Sequence, residues 1–263
     1  MVAVAAGGSR PAVRLHVPRG GASRPLPLVL ALHGAGQTGT DFAEDTGYSK
    51  LADRERFLVA YPTAFGTRPF WNMNGHVAGK PDDVAYLRAA LDRLQASACV
   101  DARRIYVTGD SNGGGMTARA ACELADRLAA AAPVAGGYRT LPACSPSRPL
   151  PVLEIHGTGD HVVPYRGKGP QGAGSVAGWL SMWRRIDRCH GRARRSAPLP
   201  KLTVIAWASC APGTEVAHVR LDGEPHGWPG WSRIQPSPPG PFSSTWTTWA
   251  FFKRHRMASP ATG

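Results

Sequence analysis

Short apolar runs alternate with amphipathic stretches along this chain from residue 25 onward. The runs are rich in Val, Leu, Ile and Ala, which is typical of strands that are buried on both faces of a sheet. We predict strands of this kind at residues 25–34, 56–62, 103–109, 129–137, 150–157 and 214–223. Shorter apolar runs at residues 2–4 and 13–17 are candidates for additional antiparallel strands at one edge of the sheet.

The stretches between these runs carry apolar side chains at helical spacing. In residues 82–95, Val84, Leu87 and Leu91 lie on one stripe, and two aspartates stand at the start, where the helix dipole favours negative charge. Ser175 is placed to cap another helix. We predict helices at residues 82–95, 116–128, 175–187 and 244–255.

Strands separated by helices pair in parallel through right-handed crossovers. The pattern therefore predicts an α/β fold, with a mostly parallel sheet covered by helices on both faces. No linker is long enough to separate two domains, so we expect one domain over residues 1–263. Within it, residues 1–12 are a candidate disordered lead, and residues 257–263 form a tail.

The chain carries a net charge of +13 from 31 basic and 18 acidic residues. Most arginines are scattered, but residues 184–195 contain a dense group of six. This group is better explained by a solvated helix end and loop than by nucleic-acid binding. No apolar run is long enough to span a membrane, and the cysteines lack C-x-x-C spacing, so we predict neither a membrane span nor a metal site. The dense group comprises Arg184, Arg185, Arg188, Arg192, Arg194 and Arg195.

The predicted strand at residues 103–109 runs into a glycine-rich turn, "GDSNG", and then into a helix. Gly109, Ser111 and Gly113 match G-x-S-x-G, a sharp turn that raises a serine hydroxyl above the end of a sheet. The motif alone has modest specificity, because small residues collect in many turns of this kind. Its position between a strand and a helix is what a nucleophilic serine requires, and we predict that Ser111 is the nucleophile.

A dinucleotide-binding loop is the alternative interpretation of the same turn, because residues 113–118 match G-x-G-x-x-A. Such a loop needs its first glycine at the end of the strand, whereas Gly113 lies beyond Gly109. It also needs an acidic residue at the tip of the next strand, and residues 131–137 contain none. We therefore predict no cofactor.

A nucleophilic serine needs a histidine to accept its proton and a carboxylate to orient that histidine. Where this turn occurs, the chain order is serine, acid, histidine, each at the carboxyl end of a strand. Asp160 and His226 follow two predicted strands in that order, and we predict them as the partners of Ser111. A turn aspartate and a surface-loop histidine are the alternatives. Other histidines are less well placed, namely His156, His161 and His190.

A tetrahedral intermediate also needs two donors for its oxyanion. One is the backbone N–H of the residue after the nucleophile, which is Asn112. The second comes from the loop "HGAGQTG" after the first long strand, where we predict Ala35, with Gly36 as the alternative. The glycines of that loop let the backbone approach a substrate closely.

The stretches "LHGAGQT", "VTGDSNGGGMTARAACELADRLAAAAPVAG", "PVLEIHGTGDHVVPY" and "HGWPG" together resemble the polyhydroxybutyrate depolymerase family of α/β-hydrolase esterases, which is similar to feruloyl and acetylxylan esterases. The resemblance runs from about residue 13 to residue 254. It implies a serine carboxylic ester hydrolase that acts through an acyl-enzyme. The sequence departs from the family where Glu224 and Pro225 replace a glycine pair before the histidine, and where Gly115 replaces a bulkier residue.

Members of this family are commonly secreted, so the resemblance implies an extracellular enzyme. Residues 1–11 lack the basic start and the apolar run of a signal peptide, which makes a cytoplasmic location the alternative. In a secreted protein, Cys189 is a candidate partner for Cys210, and Cys122 for Cys144. Buried free thiols are the alternative to these disulfides.

The segment between the strands at residues 129–137 and 150–157 is too short for a helical lid. We therefore expect an open site with no large lid, acting on soluble esters, polyester oligomers or plant cell-wall esters. We also expect a monomer. Trp71, Trp228 and Trp231 are candidate substrate contacts, with core packing as the alternative. An acyltransferase on the same triad and a non-catalytic basic binding protein are the other functions considered.

Overall fold

The computed structural model describes residues 2–4, 12–75, 79, 81–138, 144–168, 174–230 and 241–258, and at residues 2–4 it describes the backbone alone. The strands within these ranges are β1 (Val2–Val4), β2 (Val13–His16), β3 (Leu26–Leu32), β4 (Leu58–Pro62), β5 (Val100–Asp110), β6 (Ala130–Val134), β7 (Val152–Gly157), β8 (Arg194–Leu199), β9 (Leu202–Trp207) and β10 (Val216–Leu221). The helices are α1 (Gly39–Thr46), α2 (Tyr48–Glu55), α3 (Asp83–Ser97), α4 (Asn112–Glu123), α5 (Val176–Ile186) and α6 (Ser244–Phe252).

The strands form one sheet in the order β1-β2-β4-β3-β5-β6-β7-β10-β9-β8. The central strands from β4 to β10 pair in parallel. At one edge β1 and β2 add antiparallel pairs, as predicted from their short apolar runs. At the other edge β9 and β8 do the same. The predicted mostly parallel α/β sheet is therefore confirmed.

Helices cover both faces of the sheet because successive side chains of a strand point in opposite directions. In β3, which is completely buried, Leu28 and Leu30 face the core formed with α3, α4 and α5. Val29 and Ala31 face the second core, which is formed with α1, α2 and α6. Burying a side chain as large as leucine contributes roughly 1.5–3 kcal/mol, so both layers hold the central strands in place.

Four elements were not predicted from the sequence. Helices α1 and α2 are short and meet at Gly47, whose φ of 66° ends the first helix and begins the second. Strands β8 and β9 lie at the sheet edge, where a continuous apolar run is not required. Arg194 and Arg195 lie in the exposed strand β8, so this part of the basic cluster is strand and not the loop expected. Charged side chains on an edge strand oppose pairing with another chain.

Two disulfides fasten loops to the helical layer. Cys122 in α4 is bonded to Cys144, and Cys189, just after α5, is bonded to Cys210. Both pairings are those considered from the sequence. Along the stretches of chain described above, no helix is both long and apolar enough to cross a bilayer.

Candidate active site

The turn between β5 and α4 holds Ser111 in a strained conformation. Its φ of 57° and ψ of −117° lie outside the regions that residues other than glycine usually occupy. The flanking glycines permit the turn, because a Cβ on Gly109 would lie 2.6 Å from the carbonyl oxygen of Leu32, and a Cβ on Gly113 would collide with the same backbone. The serine side chain is thereby presented at the carboxyl end of the sheet.

The structure brings the three residues predicted as a triad together. Ser111 Oγ lies 2.8 Å from His226 Nε2, and His226 Nδ1 lies 2.7 Å from Asp160 Oδ2. The other oxygen of Asp160 accepts hydrogen bonds from the amides of Val162 at 2.9 Å and Val163 at 2.7 Å. With Nδ1–H donating to the carboxylate, Nε2 is left to accept the proton of the serine hydroxyl.

The electrostatics keep Asp160 ionised. Burial by itself raises the pKa of this carboxyl, but hydrogen bonds from His156, His226 and the Val163 amide outweigh that effect and hold the pKa well below its usual range. Burial raises the pKa of neighbouring Asp110 to about 7, since only the charge of His226 and other weaker interactions oppose it. The site therefore contains one carboxylate that is firmly ionised, Asp160, and one carboxyl whose pKa lies near neutral pH, Asp110.

The loop after β3 contains both candidates for the second predicted oxyanion donor, Ala35 and Gly36. The Gly34 amide donates to Gln37 Oε1 at 2.9 Å, and the Gly36 amide donates to the carbonyl of Pro69 at 2.8 Å. Within the described part of the chain, the Ala35 amide has no acceptor, and this residue is exposed. Ala35 is thus better placed than the alternative, Gly36. Asn112 begins α4, and amides in the first turn of a helix lack partners within the helix.

Buried hydrogen bonds fix both sides of this region. His33 Nδ1 donates to the carbonyl of Gly34 at 2.7 Å, and its Nε2 accepts from the Ala64 amide at 3.0 Å, so the ring is neutral. Burial lowers the pKa of His33 in agreement with this state. The side chain of Asn112 accepts from the Trp71 amide at 2.7 Å and donates to the Trp71 carbonyl at 3.0 Å. These bonds lock the two loops beside the serine.

Two of the three tryptophans predicted as substrate contacts, Trp71 and Trp228, lie in the described part of the chain. Trp71 is completely buried, its indole N–H donates to the carbonyl of His33 at 3.0 Å, and its ring packs against Tyr86. Trp71 is therefore not available to a substrate, and it packs in the core, which was the alternative considered for it. Trp228 is partly buried and donates to Thr245 Oγ1 at 2.9 Å. Trp231 lies outside the described residues.

An apolar cavity of about 250 Å³ lies beside α4. Gly115 lines this cavity, and its amide donates to the carbonyl of Ser111 at 2.9 Å, so the cavity begins one helical turn from the nucleophile. A Cβ at Gly115 would collide with Met73 Sδ. A side chain at this position would therefore displace Met73, which also lines the cavity. Other residues lining the cavity include Ala118, Tyr138, Trp179 and Met182.

Sequence reasoning missed three buried polar residues behind the triad. Glu154 and His156 lie on the same face of β7, and His218 lies on the neighbouring strand β10. A signal was present in the sequence, because charged side chains are rare in a strand that is buried along its whole length. His156 was considered only as a rival to His226.

A parallel sheet covered on both faces, with a serine on a strand-to-helix turn and an acid and a histidine at nearby strand ends, defines an α/β-hydrolase. The family model for esterase PHB depolymerase matches residues 12–140. The chain is also 32% identical over 253 residues to the putative esterase NocK of Nocardia uniformis subsp. tsuyamanensis, spanning 86% of this chain and 73% of that protein. The chain belongs to the PHB depolymerase family of esterases.

Two further relatives are larger enzymes. The chain is 30% identical to the bifunctional acetylxylan esterase/xylanase XynS20E of Neocallimastix patriciarum, over 76% of this chain and 28% of that protein. It is 32% identical to feruloyl esterase B of Piromyces equi, over 81% of this chain and 42% of that protein. The chain thus spans less than half of either relative.

A solved structure supports the fold. Acetyl xylan esterase from Aspergillus awamori superposes with a TM-score of 0.69 at 17% identity, covering 92% of this chain and 94% of that one. At this level of identity, the likeness shows the α/β-hydrolase fold alone.

Proposed function

We propose that this esterase is a serine carboxylic ester hydrolase that acts through an acyl-enzyme. The observation that carries the proposal is the chain of hydrogen bonds from Ser111 Oγ through His226 to Asp160, at 2.8 and 2.7 Å. These distances lie within the range that proton transfer between a nucleophile and its base requires. The ionised state of Asp160 adds support, because an anion stabilises the imidazolium that forms during the reaction.

In the proposed first step, His226 Nε2 accepts the hydroxyl proton as Ser111 Oγ attacks the ester carbonyl carbon. The oxyanion accepts hydrogen bonds from the amides of Asn112 and Ala35. The imidazolium then donates its proton to the departing alcohol oxygen, which leaves the acyl group on Ser111. Water repeats the sequence with His226 as base, and the carboxylic acid is released.

The cavity beside α4 supports esters with a compact apolar or aromatic group as substrates. Its volume of about 250 Å³ is small among ligand pockets, and Met73, Trp179 and Met182 make it mainly apolar. Two relatives are named as an acetylxylan esterase and a feruloyl esterase, and an acetyl group is small while a feruloyl group is aromatic. The segment at residues 135–151 carries no helix in its described parts, which supports a site open to soluble oligomers and cell-wall esters.

We also place the protein in an oxidising compartment. Two disulfides persist where thiols are not kept reduced, as outside the cell, and they are rare in the cytosol. Mass measurement of the native protein before and after reduction tests this proposal. Two disulfides and one free thiol, at Cys99, are expected, and five free thiols in protein isolated from its source would contradict export.

The function is tested with p-nitrophenyl acetate, p-nitrophenyl butyrate, methyl ferulate, acetylated xylan and hydroxybutyrate oligomers. We expect hydrolysis of at least one ester by the wild type and a loss of at least 1,000-fold in kcat for Ser111→Ala, since the nucleophile is removed. Ser181→Ala on α5 is the matched control, and it should retain activity and the same circular dichroism. Activity that survives in Ser111→Ala would refute the assignment.

Two rivals give different results in the same assay. An acyltransferase transfers most of the acyl group to an added alcohol, whereas a hydrolase releases the free acid even when alcohol is present. A non-catalytic basic protein hydrolyses none of the esters and is retained on heparin because of its net charge of +13.

A further inference from the structure

A second polar cluster contacts Asp160 through His156, whose Nε2 lies 3.2 Å from Asp160 Oδ2. It consists of Glu154 and His156 on β7 and His218 on β10, and parallel pairing places His218 opposite Glu154. Their exposures are 0%, 2% and 1%, so all three are as buried as the apolar core. Ionisable groups are buried to this extent only when they are paired with each other or with hydrogen-bonding partners.

Glu154 is the centre of this cluster. Its Oε1 accepts hydrogen bonds from the Tyr138 hydroxyl at 2.8 Å and from His156 Nδ1 at 2.9 Å. Its Oε2 lies 2.6 Å from His218 Nδ1. His218 Nε2 in turn lies 2.7 Å from the hydroxyl of Tyr165. The two hydrogen bonds to Oε1 and the close approach of the His218 ring to Oε2 stabilise this carboxylate as the anion.

The surroundings of His156 determine its protonation. Nδ1 faces Glu154 Oε1, while Nε2 faces the Val163 carbonyl at 2.9 Å and Asp160 Oδ2 at 3.2 Å. All three oxygens are hydrogen-bond acceptors. In a neutral imidazole one of the two ring nitrogens carries a lone pair, which would then face an acceptor oxygen with no proton between them. The ring is therefore an imidazolium, with a proton on each nitrogen.

The pKa directions agree with this geometry. Burial lowers the pKa of His156, but the hydrogen bonds with Asp160 and Glu154 outweigh burial and raise the pKa to about 10. Burial raises the pKa of Glu154, and the charges and hydrogen bonds of His218 and His156 outweigh it and bring the pKa to about 2. The pair is an anion and a cation across the neutral range.

The inference rests on the proposed function of Ser111, His226 and Asp160. We propose that His156, held as a cation by Glu154, is a positioning residue that fixes Asp160 toward His226 and limits how tightly His226 holds a proton. Asp160 Oδ2 lies 2.7 Å from His226 Nδ1 and 3.2 Å from His156 Nε2, so one oxygen is shared by the two rings. The permanent cation on His156 lies across Asp160 from His226, and it therefore opposes the positive charge that forms on His226 during the reaction.

The other titratable groups that face His156 belong to three different segments. Tyr138 and Tyr165 pack edge-on against its ring, at 6.4 and 5.8 Å between ring centroids, and burial raises the pKa of both phenols. Asp110 is coupled to His156, His226 and Asp160 through its charge, and burial raises its pKa to about 7. Asp110 is therefore a group close to His156 whose pKa lies near neutral pH. Within the described ranges, no group of His, Cys, Asp or Glu forms a metal site.

The test is the pH profile of kcat/KM for His156→Gln, which removes the cation and keeps a hydrogen-bond donor. A charge within about 4–6 Å shifts a pKa by roughly one to three pH units, so we expect the acid limb to move about one unit toward higher pH. The exposed neighbour His161 gives the matched control, because His161→Gln should leave the limb unchanged. Asp110→Asn, measured in parallel, shows how much of the acid limb comes from Asp110.

A purely structural role for His156 predicts a different result. Activity would then fall at every pH while the midpoint of the acid limb stayed in place, and that outcome, or a shift to lower pH, overturns the proposal. If Ser111→Ala retains activity, the proposed function fails. If Ser111→Ala is inactive while the midpoint in His156→Gln does not move, this inference alone fails.

The wild-type protein provides a second measurement should His156→Gln fail to fold. Nitrogen NMR of protein labelled in its 9 histidines distinguishes a ring with two protonated nitrogens from a neutral ring. We expect one buried histidine to remain doubly protonated at pH 8, above the ordinary histidine range. Neutral rings for all histidines at that pH would overturn the proposal.

Discussion

Asp187 is a buried carboxylate whose charge opposes folding at neutral and alkaline pH. It follows α5, it has no exposed surface, and its Oδ1 accepts a hydrogen bond from the Leu150 amide at 2.9 Å. Its Oδ2 is buried with no hydrogen-bond partner in the described part of the chain. Burial raises its pKa to about 7, and the Leu150 amide and the charge of Arg148 only partly oppose that effect. Asp187→Asn keeps the acceptor for Leu150 and removes the charge.

The sign and size of the effect follow from proton linkage. The folded pKa is raised above the ordinary value of 3.8, so the stabilisation by this group is complete below about pH 4 and is lost as the pH rises through 7. Integrating between the two pKa values gives a loss of about 1.5 kcal/mol at pH 5 and about 4 kcal/mol at pH 8. Asp187→Asn does not show this loss, because the asparagine side chain does not ionise.

The assay is thermal unfolding of the wild type and Asp187→Asn at pH 5 and pH 8. Relative to the wild type, the variant should gain about 2.5 kcal/mol more at pH 8 than at pH 5, or about 5–10 °C in Tm for a domain of this size. Asp92→Asn is the control, because this side chain is exposed and should show no such pH-dependent difference. An equal difference at both pH values, or a larger gain at pH 5, would refute the reasoning.

Two further substitutions test the substrate cavity and a disulfide. Gly115→Ala places a methyl group against Met73, so kcat/KM for p-nitrophenyl butyrate should fall about 10-fold more than for p-nitrophenyl acetate, and equal losses would show that the cavity does not hold the acyl group. Replacing Cys189 and Cys210 together with Ala opens a loop with a sequence separation of 21, which should lower the free energy of unfolding by about 3 kcal/mol in denaturant titration; unchanged stability would contradict the pairing.

The central strands and the proposed triad could be predicted from the sequence for a physical reason. A strand buried on both faces favours a largely apolar run. Strand β3 and residues 105–107 of β5 show such a run, and β7 is apolar apart from Glu154 and His156. The carboxyl ends of parallel strands meet at one edge of the sheet, so residues that follow those runs are brought together. Ser111, Asp160 and His226 follow the central strands β5, β7 and β10, and their chain order and their placement after these strands led to the prediction.

The edge strands β8 and β9 and the role of Trp71 could not be predicted from the sequence in the same way. Strand β9 alternates between buried and partly exposed side chains, and β8 is exposed, so neither shows a continuous apolar run. A tryptophan in a loop packs inward or outward according to the tertiary contacts available. Trp71 turns inward because Asn112 and His33 bind its backbone and its indole nitrogen, and both partners are distant in sequence.

The polar cluster of Glu154, His156 and His218 could not be predicted from the sequence for the same reason. Glu154 and His218 lie on different strands, 64 residues apart, and come together through the parallel pairing of β7 with β10. The sequence shows charged residues in a buried strand, but not their partners. For the oxyanion donors, the sequence narrowed the choice to Ala35 or Gly36, and the bond from Gly36 to Pro69 favours Ala35.

Covalent labelling tests the central proposal most directly, because it identifies the nucleophile itself. The protein is treated with a fluorophosphonate, and the modified peptide is mapped by mass spectrometry alongside Ser111→Ala. A single label on Ser111, with loss of esterase activity in proportion to labelling and no label in the variant, is the result expected. A label on another residue, or full inactivation of ester hydrolysis without modification of Ser111, would contradict the proposed acyl-enzyme mechanism.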